Sequence, residues 1–454
     1  MSNNQYDAIV IGAGFAGVSA ARDLADKGAR VLLLEARDRL GGRTESETIT
    51  LGDHTFIAER GGQWIDLEYS PAIEPDLERY SVELASSPHP ENYHSSYAGI
   101  RHSGPELCSA ETIGDVKRAC RHVVDTAGER LAFGVPLDAQ DVSDLDVSWT
   151  DYLQTLDTSD HARAFLSTYS SWFSGSFPDQ VSALHCLYLL NGADVDTISQ
   201  GMEYETKFAK GTGHFLESMA ADIKKSGTVK LSTPVASVSQ DDSEVRVTTD
   251  AGELFTAPTV IMAVPMASWN DIEFEPPLSA AKREGSALKQ GSRGVKSHIL
   301  VRNVAPNTCA IGDVRTNDGV FAVLSEEHLA NGEQIMILFS LHHDDDPDRP
   351  QATFTDIEAA LHTLLPDAEL VDYVTRDWST EKYSSYVDFV AYAPGFPSRA
   401  HSLIGASEGR LQFCGADLSQ TFFAHIEGAV ETGKTAAVNA LQFIHQDALV
   451  PEGA

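Results

Sequence analysis

An apolar stretch at residues 6–11 runs directly into Gly12, Gly14 and Gly17, and small and apolar residues at helical spacing then continue to Asp26. A second apolar stretch, 30–35, ends on Glu35. Strand, glycine turn, helix and acid-tipped strand in this order form one βαβ unit, a far narrower signal than the glycines alone. Gly12 permits the tight turn, Gly14 lets backbone approach a pyrophosphate, and Gly17 lets the helix pack closely. The helix N-terminus offers free N–H groups to an anion, and Glu35 can accept hydrogen bonds from ribose hydroxyls. The unit predicts an α/β fold with a dinucleotide at its first turn.

At 454 residues the chain has room for two or three domains. Between 83 and 204, polar loops and helical patterns at 148–156 and 162–173 predict a mostly helical insertion. The aromatic-rich stretch 169–177 reads equally as channel lining or as core. From Lys210 the nucleotide-domain texture returns, with a helix from Gly211 to about 223 and short strands at 229–231, 235–239, 244–249 and 259–264. A second insertion, 291–395, mixes strands at 295–301 and 334–341 with a helix at 354–365. A strand at 411–415 and a helix at 426–443 close the pattern.

Thirty-three basic residues against 67 acidic ones give a formal charge of −34. Such a field repels nucleic acid and anionic membranes, so neither is expected as a partner. Five cysteines, Cys108, Cys120, Cys186, Cys309 and Cys414, show no zinc-ligand spacing, and their odd number fits a reduced setting. The N-terminus lacks a cleavable leader pattern, the C-terminus lacks an anchor, and no apolar run reaches the roughly 18 residues of a membrane span. A cytoplasmic location is expected. The run from His342 to Asp346 holds metal-capable side chains, but Pro347 and its charge density mark a solvated loop, so no metal site is expected.

Further motifs extend the first one. Gly41, Gly42 and Arg43 form a turn that can place a guanidinium fork beside a pyrophosphate. With the segment Glu59, Arg60, Gly61, Gly62, Gln63, Trp64, the pattern resembles the flavin amine oxidase family. Residues 210–216, 260–265 with 274–278, 413–417 and 427–433 resemble that family's middle and C-terminal flavin segments in the same order. The resemblance implies an α/β, Rossmann-like two-dinucleotide-binding-domain FAD fold with an inserted α+β substrate domain. The expected division is an FAD-binding domain from 1–82, 205–290 and 396–454, and a substrate-binding domain from 83–204 and 291–395.

By the same resemblance, FAD meets Gly12, Gly14, Gly17, Glu35, Arg43 and the backbone of Val235, while Asp417 and the start of the last helix near Ala429 face its ribityl chain and ring. Lys296 stands alone in an apolar strand pattern, and burying an ammonium demands a reason. In the family a lysine here holds a water against the flavin N5. Trp378 corresponds to a tryptophan packed beside the flavin. Members that tether FAD use a cysteine where this chain has Val387, so non-covalent FAD is expected. Asp388 and His425 fall where the family often has two aromatic rings, and a one-residue bulge would present Phe389 instead. A carboxylate there favours amines with additional polar or cationic groups.

The implied activity is FAD-dependent oxidation of an amine to an imine, hydrolysed to aldehyde and ammonia, with O2 reduced to hydrogen peroxide. Alternatives on the same scaffold are a polyamine or L-amino-acid oxidase and a carotenoid- or porphyrin-type desaturase. A flavin-containing binding protein without turnover is the alternative of a different class. The resemblance is also compatible with a homodimer.

Overall fold

The computed structural model describes residues 4–132, 134–200, 206–291, 293–342, 350–386 and 390–448. Strand Ala8–Ile11 is buried at all four positions, as expected of a strand covered on both faces. It is the middle member of a five-stranded sheet ordered Thr228–Lys230, Val31–Leu34, Ala8–Ile11, Val260–Met262, Leu411–Phe413. Every pairing in that sheet is parallel. Sequence order reverses direction at Ala8–Ile11, and the carboxyl ends of this strand and of Val260–Met262 open a crevice there. The helix Phe15–Asp26 packs along the final helix Ile426–Ala448. Their approach is close enough that a Cβ on Gly433 would lie 2.3 Å from the Ala16 carbonyl oxygen.

A four-stranded sheet, Leu254–Ala257, Val245–Thr249, Val235–Gln240 and Glu273–Glu275, stands beside the parallel one. The second layer is a seven-stranded mixed sheet ordered Glu369–Asp377, Gly294–Arg302, Gln334–Leu341, Val320–His328, Thr308–Gly312, Asn92–Tyr97, Ile100–Gly104. Helices Ile113–Arg130, Asp160–Ser174 and Ala183–Leu189 enclose a separate apolar core with Val123, Phe165 and Leu187 at its centre. Among the described residues no helix is long and apolar enough to cross a membrane.

Two expectations from sequence need correction. The stretch from 83 to 204 is helical only from Ile113 onward, because Asn92–Tyr97 and Ile100–Gly104 are strands of the large sheet. Ser95 and Ser96 are buried there without an apolar pattern, and the Ser95 hydroxyl donates to the Leu107 carbonyl at 2.8 Å. Pairing with Thr308–Gly312, far away in sequence, decides the strand, so tertiary context overrides local texture. The strand Leu84–Ser86 pairs with Thr206–Phe208, which draws it across the expected boundary at 82.

Candidate active site

Gly12 has φ +102°, and a Cβ there would sit 2.7 Å from the Ala263 carbonyl oxygen. Gly17 is pressed onto the same turn, since its Cβ would fall 1.9 Å from the Gly12 oxygen. The helix that follows begins at Gly14 with no side chain capping it, so its first amides are free at a cavity of about 510 Å³. The facing turn is tied on by the Gly41 amide, which donates to the Ala13 carbonyl at 2.9 Å. Glu35 accepts from the Ala13 amide at 2.7 Å and the Arg37 amide at 2.9 Å, and it forms part of the cavity wall. Each carboxylate oxygen retains acceptor capacity for a ribose hydroxyl.

Arg43 reaches the cavity from the second turn, and its guanidinium donates to Asp417 at 2.5 Å. Val235, at the start of strand Val235–Gln240, and Ala429, in the first turn of the last helix, also line the cavity. The buried Ser268 hydroxyl on this wall has no hydrogen-bond partner in the protein. An uncapped helix start, a guanidinium, a carboxylate on the cavity wall and an orphan hydroxyl fit FAD. Asp417, next to the cavity-lining Gly415 and Ala416, lies behind Arg43, 1% exposed, and also accepts from the Met266 amide at 3.2 Å. A carboxylate buried that deeply needs such partners, so it holds the arginine rather than lining the cavity.

A second chamber of about 200 Å³ adjoins the first, and Arg43, Gly62, Ala424, His425 and Ile426 border both. Trp64, Trp172, Phe173, Phe321 and Phe339 supply its aromatic wall. Lys296 opens onto this chamber from Gly294–Arg302, an interior strand between Gln334–Leu341 and Glu369–Asp377. The side chain is 4% exposed. Its ammonium donates to the Gly61 carbonyl at 2.9 Å and, in a shorter contact, to Gln63 Oε1. Desolvation lowers its pKa to about 7, against the opposing pull of Glu326 and Glu59. The ring centroids of Trp64 and Phe339 lie 5.2 and 5.7 Å from Nζ.

Trp378 lines the same chamber and is fixed by donation from Nε1 to the Arg60 carbonyl at 2.9 Å. His425 sits deep in the protein with much of its surface facing the cavities, and desolvation lowers its pKa. Its Nδ1 donates to the Phe423 carbonyl at 2.7 Å. Val387, Asp388 and Phe389 lie outside the described residues, as do 343–349 of the His342 loop. Among the described residues no group of three or more metal-ligating side chains occurs.

Sequence reasoning missed Gln63, Glu326 and Lys207 around the lysine, and Phe321 and Phe339 in the wall. Gln63 was visible inside a motif. The two phenylalanines carry no local signal, because only the pairing of Val320–His328 with Gln334–Leu341 brings them together. The aromatic stretch 169–177 divides between both readings: Trp172 and Phe173 face the chamber, whereas Phe177 is core.

A family model described as flavin containing amine oxidoreductase matches residues 15–441. (S)-6-hydroxynicotine oxidase of Paenarthrobacter nicotinovorans is 30% identical over 448 residues, covering 96% of this chain and 99% of that protein. Flavin-containing amine oxidase A of Equus caballus is 26% identical over 470 residues, covering 97% and 86%. Two solved structures share the fold. A double mutant of putrescine oxidase superposes with a TM-score of 0.83 at 21% identity, covering 97% of this chain and 99% of that one. Cyclohexylamine oxidase from Brevibacterium oxydans gives 0.81 at 21% identity, with coverage of 97% and 99%.

Proposed function

The chain belongs to the flavin containing amine oxidoreductase family, and from that premise we propose that it oxidises a small amine with a compact, ring-bearing, uncharged tail. Bound FAD would supply the two-electron oxidation of the amine's α-carbon, with O2 as the final acceptor reduced to hydrogen peroxide. Gly12, Gly14 and Arg43 receive the pyrophosphate, Gly17 keeps the turn closed, and Glu35 and Val235 hold the adenosine half. Ala429 contributes the helix start at the other end, and Asp417 holds Arg43 in place.

The observation that carries this reading is the buried ammonium of Lys296 on the wall of the aromatic chamber that adjoins the dinucleotide cavity. Lys296 orients water at the reaction centre, and Trp378 packs that water's side of the chamber. Trp64, Trp172, Phe173, Phe321 and Phe339 exclude bulk water and accept a flat or cyclic tail, with His425 beside them on the wall. Two cationic side chains, Lys296 and Arg43, stand on the described wall, which favours an uncharged tail over a second cation. The relatives whose names specify nicotine derivatives agree with that choice. The chain acts in the cytoplasm, holds FAD without a covalent bond, and accommodates a homodimer. The FAD-binding domain takes the segments given above, with its first boundary moved past Ser86, and the two insertions form the substrate domain.

Anaerobic mixing with monoamines, diamines, polyamines and amino acids, followed by flavin absorbance, tests the reading. Cyclic and aryl monoamines should bleach the flavin, and peroxide should appear when air is admitted. Bleaching by diamines or amino acids alone would overturn the tail assignment. No bleaching by any amine would make the protein a flavin-binding protein without turnover.

A further inference from the structure

Beyond the lysine itself, a line of polar side chains runs away from the chamber that the chemistry above does not use. Gln63 is 1% exposed, and its Oε1 accepts from the Lys296 ammonium. Its Nε2 donates to Glu326 Oε2 at 3.4 Å, and Glu326 Oε1 accepts from the Lys207 ammonium. Glu326 and Lys207 are 15% and 20% exposed, so the line leads from a dry lysine to a partly wetted ion pair. Lys207 lies opposite Trp64 in the strand pair that also fixes the segment carrying Gln63.

A glutamine amide has one end that accepts and one that donates, so its orientation decides what it offers a cation. An ionised carboxylate only accepts, and Glu326 therefore fixes Nε2 outward and Oε1 toward Lys296. We propose that Glu326 is a positioning residue for the reaction centre: held by Lys207, it locks the Gln63 amide so that oxygen, not nitrogen, meets the Lys296 side chain. The inference rests on the reading that Lys296 serves the flavin site.

Other charges face the lysine as well. Glu59 favours its charged form, whereas Lys207 and Arg60 oppose it. His298, two residues along the strand, is kept neutral by desolvation and by Lys296 itself. Arg376, opposite Lys296 on the neighbouring strand, is held by Glu45 and Glu381. Arg43 and His425 share the chamber wall. Of these, Glu326 is the one reached through a hydrogen-bonded amide, and removing its charge frees that amide to turn.

The test is a pH titration of bound-flavin absorbance in substrate-free holoenzyme, with Lys296→Met holoenzyme as the baseline. The wild-type trace should show a transition that Lys296→Met abolishes. Glu326→Gln keeps the shape and removes the charge, so the midpoint should fall by about one pH unit. Lys207→Met releases Glu326 and frees the amide, so it should move the midpoint downward as Glu326→Gln does, whereas loss of an opposing cation acting through space alone would move it upward; Glu326→Asp should return it toward wild type. Unmoved midpoints, shifts of opposite sign in Glu326→Gln and Lys207→Met, or a transition that survives in Lys296→Met would overturn the proposal. If Glu326→Gln does not fold, the direction of the Lys207→Met shift decides. No amine enters the measurement, so a protein that oxidised no amine would still give one of these results.

Discussion

Lys296 joins a folding penalty to a chemical role in one side chain. Its pKa is lowered from an ordinary 10.5 to about 7 because the sheet and the aromatic wall remove its water. Between those two values the unfolded chain holds a proton that the folded chain has released, so stability should rise as pH climbs through that window. Below pH 7 the full penalty is present. Lys296→Met removes the titration, so its thermal midpoint should gain most over wild type near pH 6, and the difference should shrink by pH 10. Melting curves at both values check this, and a difference independent of pH would show an unperturbed lysine. The same variant should retain FAD yet slow flavin reduction or its reaction with O2 by about tenfold or more. Stopped-flow traces of each half-reaction, unchanged from wild type, would leave Lys296 a strand residue only.

At the scale of elements, the first βα turn separates two kinds of glycine. A Cβ on Gly14 would meet the Gly41 carbonyl oxygen at 3.6 Å, an ordinary contact, but would stand in the space an incoming pyrophosphate needs. Gly14→Ala should therefore fold to within ~1 kcal/mol of wild type and bind FAD about tenfold or more weakly. Gly17→Ala would drive a methyl into the Gly12 backbone and should destabilise by at least ~3 kcal/mol, at the upper end of overpacking costs. Flavin-to-protein ratios and urea melts of the apoproteins distinguish the two. Equal losses of stability would mean that both glycines serve packing alone.

Across the whole molecule, the dinucleotide cavity gathers distant segments: the first two turns, the strand start at Val235, residues 263–272, residues 382–386, and the loop and helix from Gly415 to Ala429. A ligand bridging them stabilises the folded state by mass action, and a free concentration 1,000 times Kd adds about 4 kcal/mol. Holoprotein should melt well above apoprotein, with a difference that grows with added FAD. None of the five cysteines lines the cavity, and burial pushes the nearest in the fold, Cys414, up to about 12, where the thiol is a poor nucleophile. Acid precipitation should leave the flavin in the supernatant. Colour held in the pellet would contradict non-covalent binding.

The parallel sheet and the dinucleotide cradle were legible in the chain alone, because Gly12, Gly17 and Glu35 act through backbone geometry within one βαβ unit, and local sequence encodes local geometry. Lys296 was legible for a related reason: a lone ammonium in an apolar strand is conspicuous wherever the strand ends up. The strands at 92–97 and 100–104 were not legible, since their partners come from another part of the chain and their buried serines imitate a loop. The pairing of Asp417 with Arg43 was not legible, since it joins residues 374 positions apart in sequence. The aromatic chamber and the line from Lys296 through Gln63 to Glu326 were settled only by tertiary structure. Both depend on side chains from separate strands converging on one volume, and no periodicity within any one segment records which distant residues will meet there.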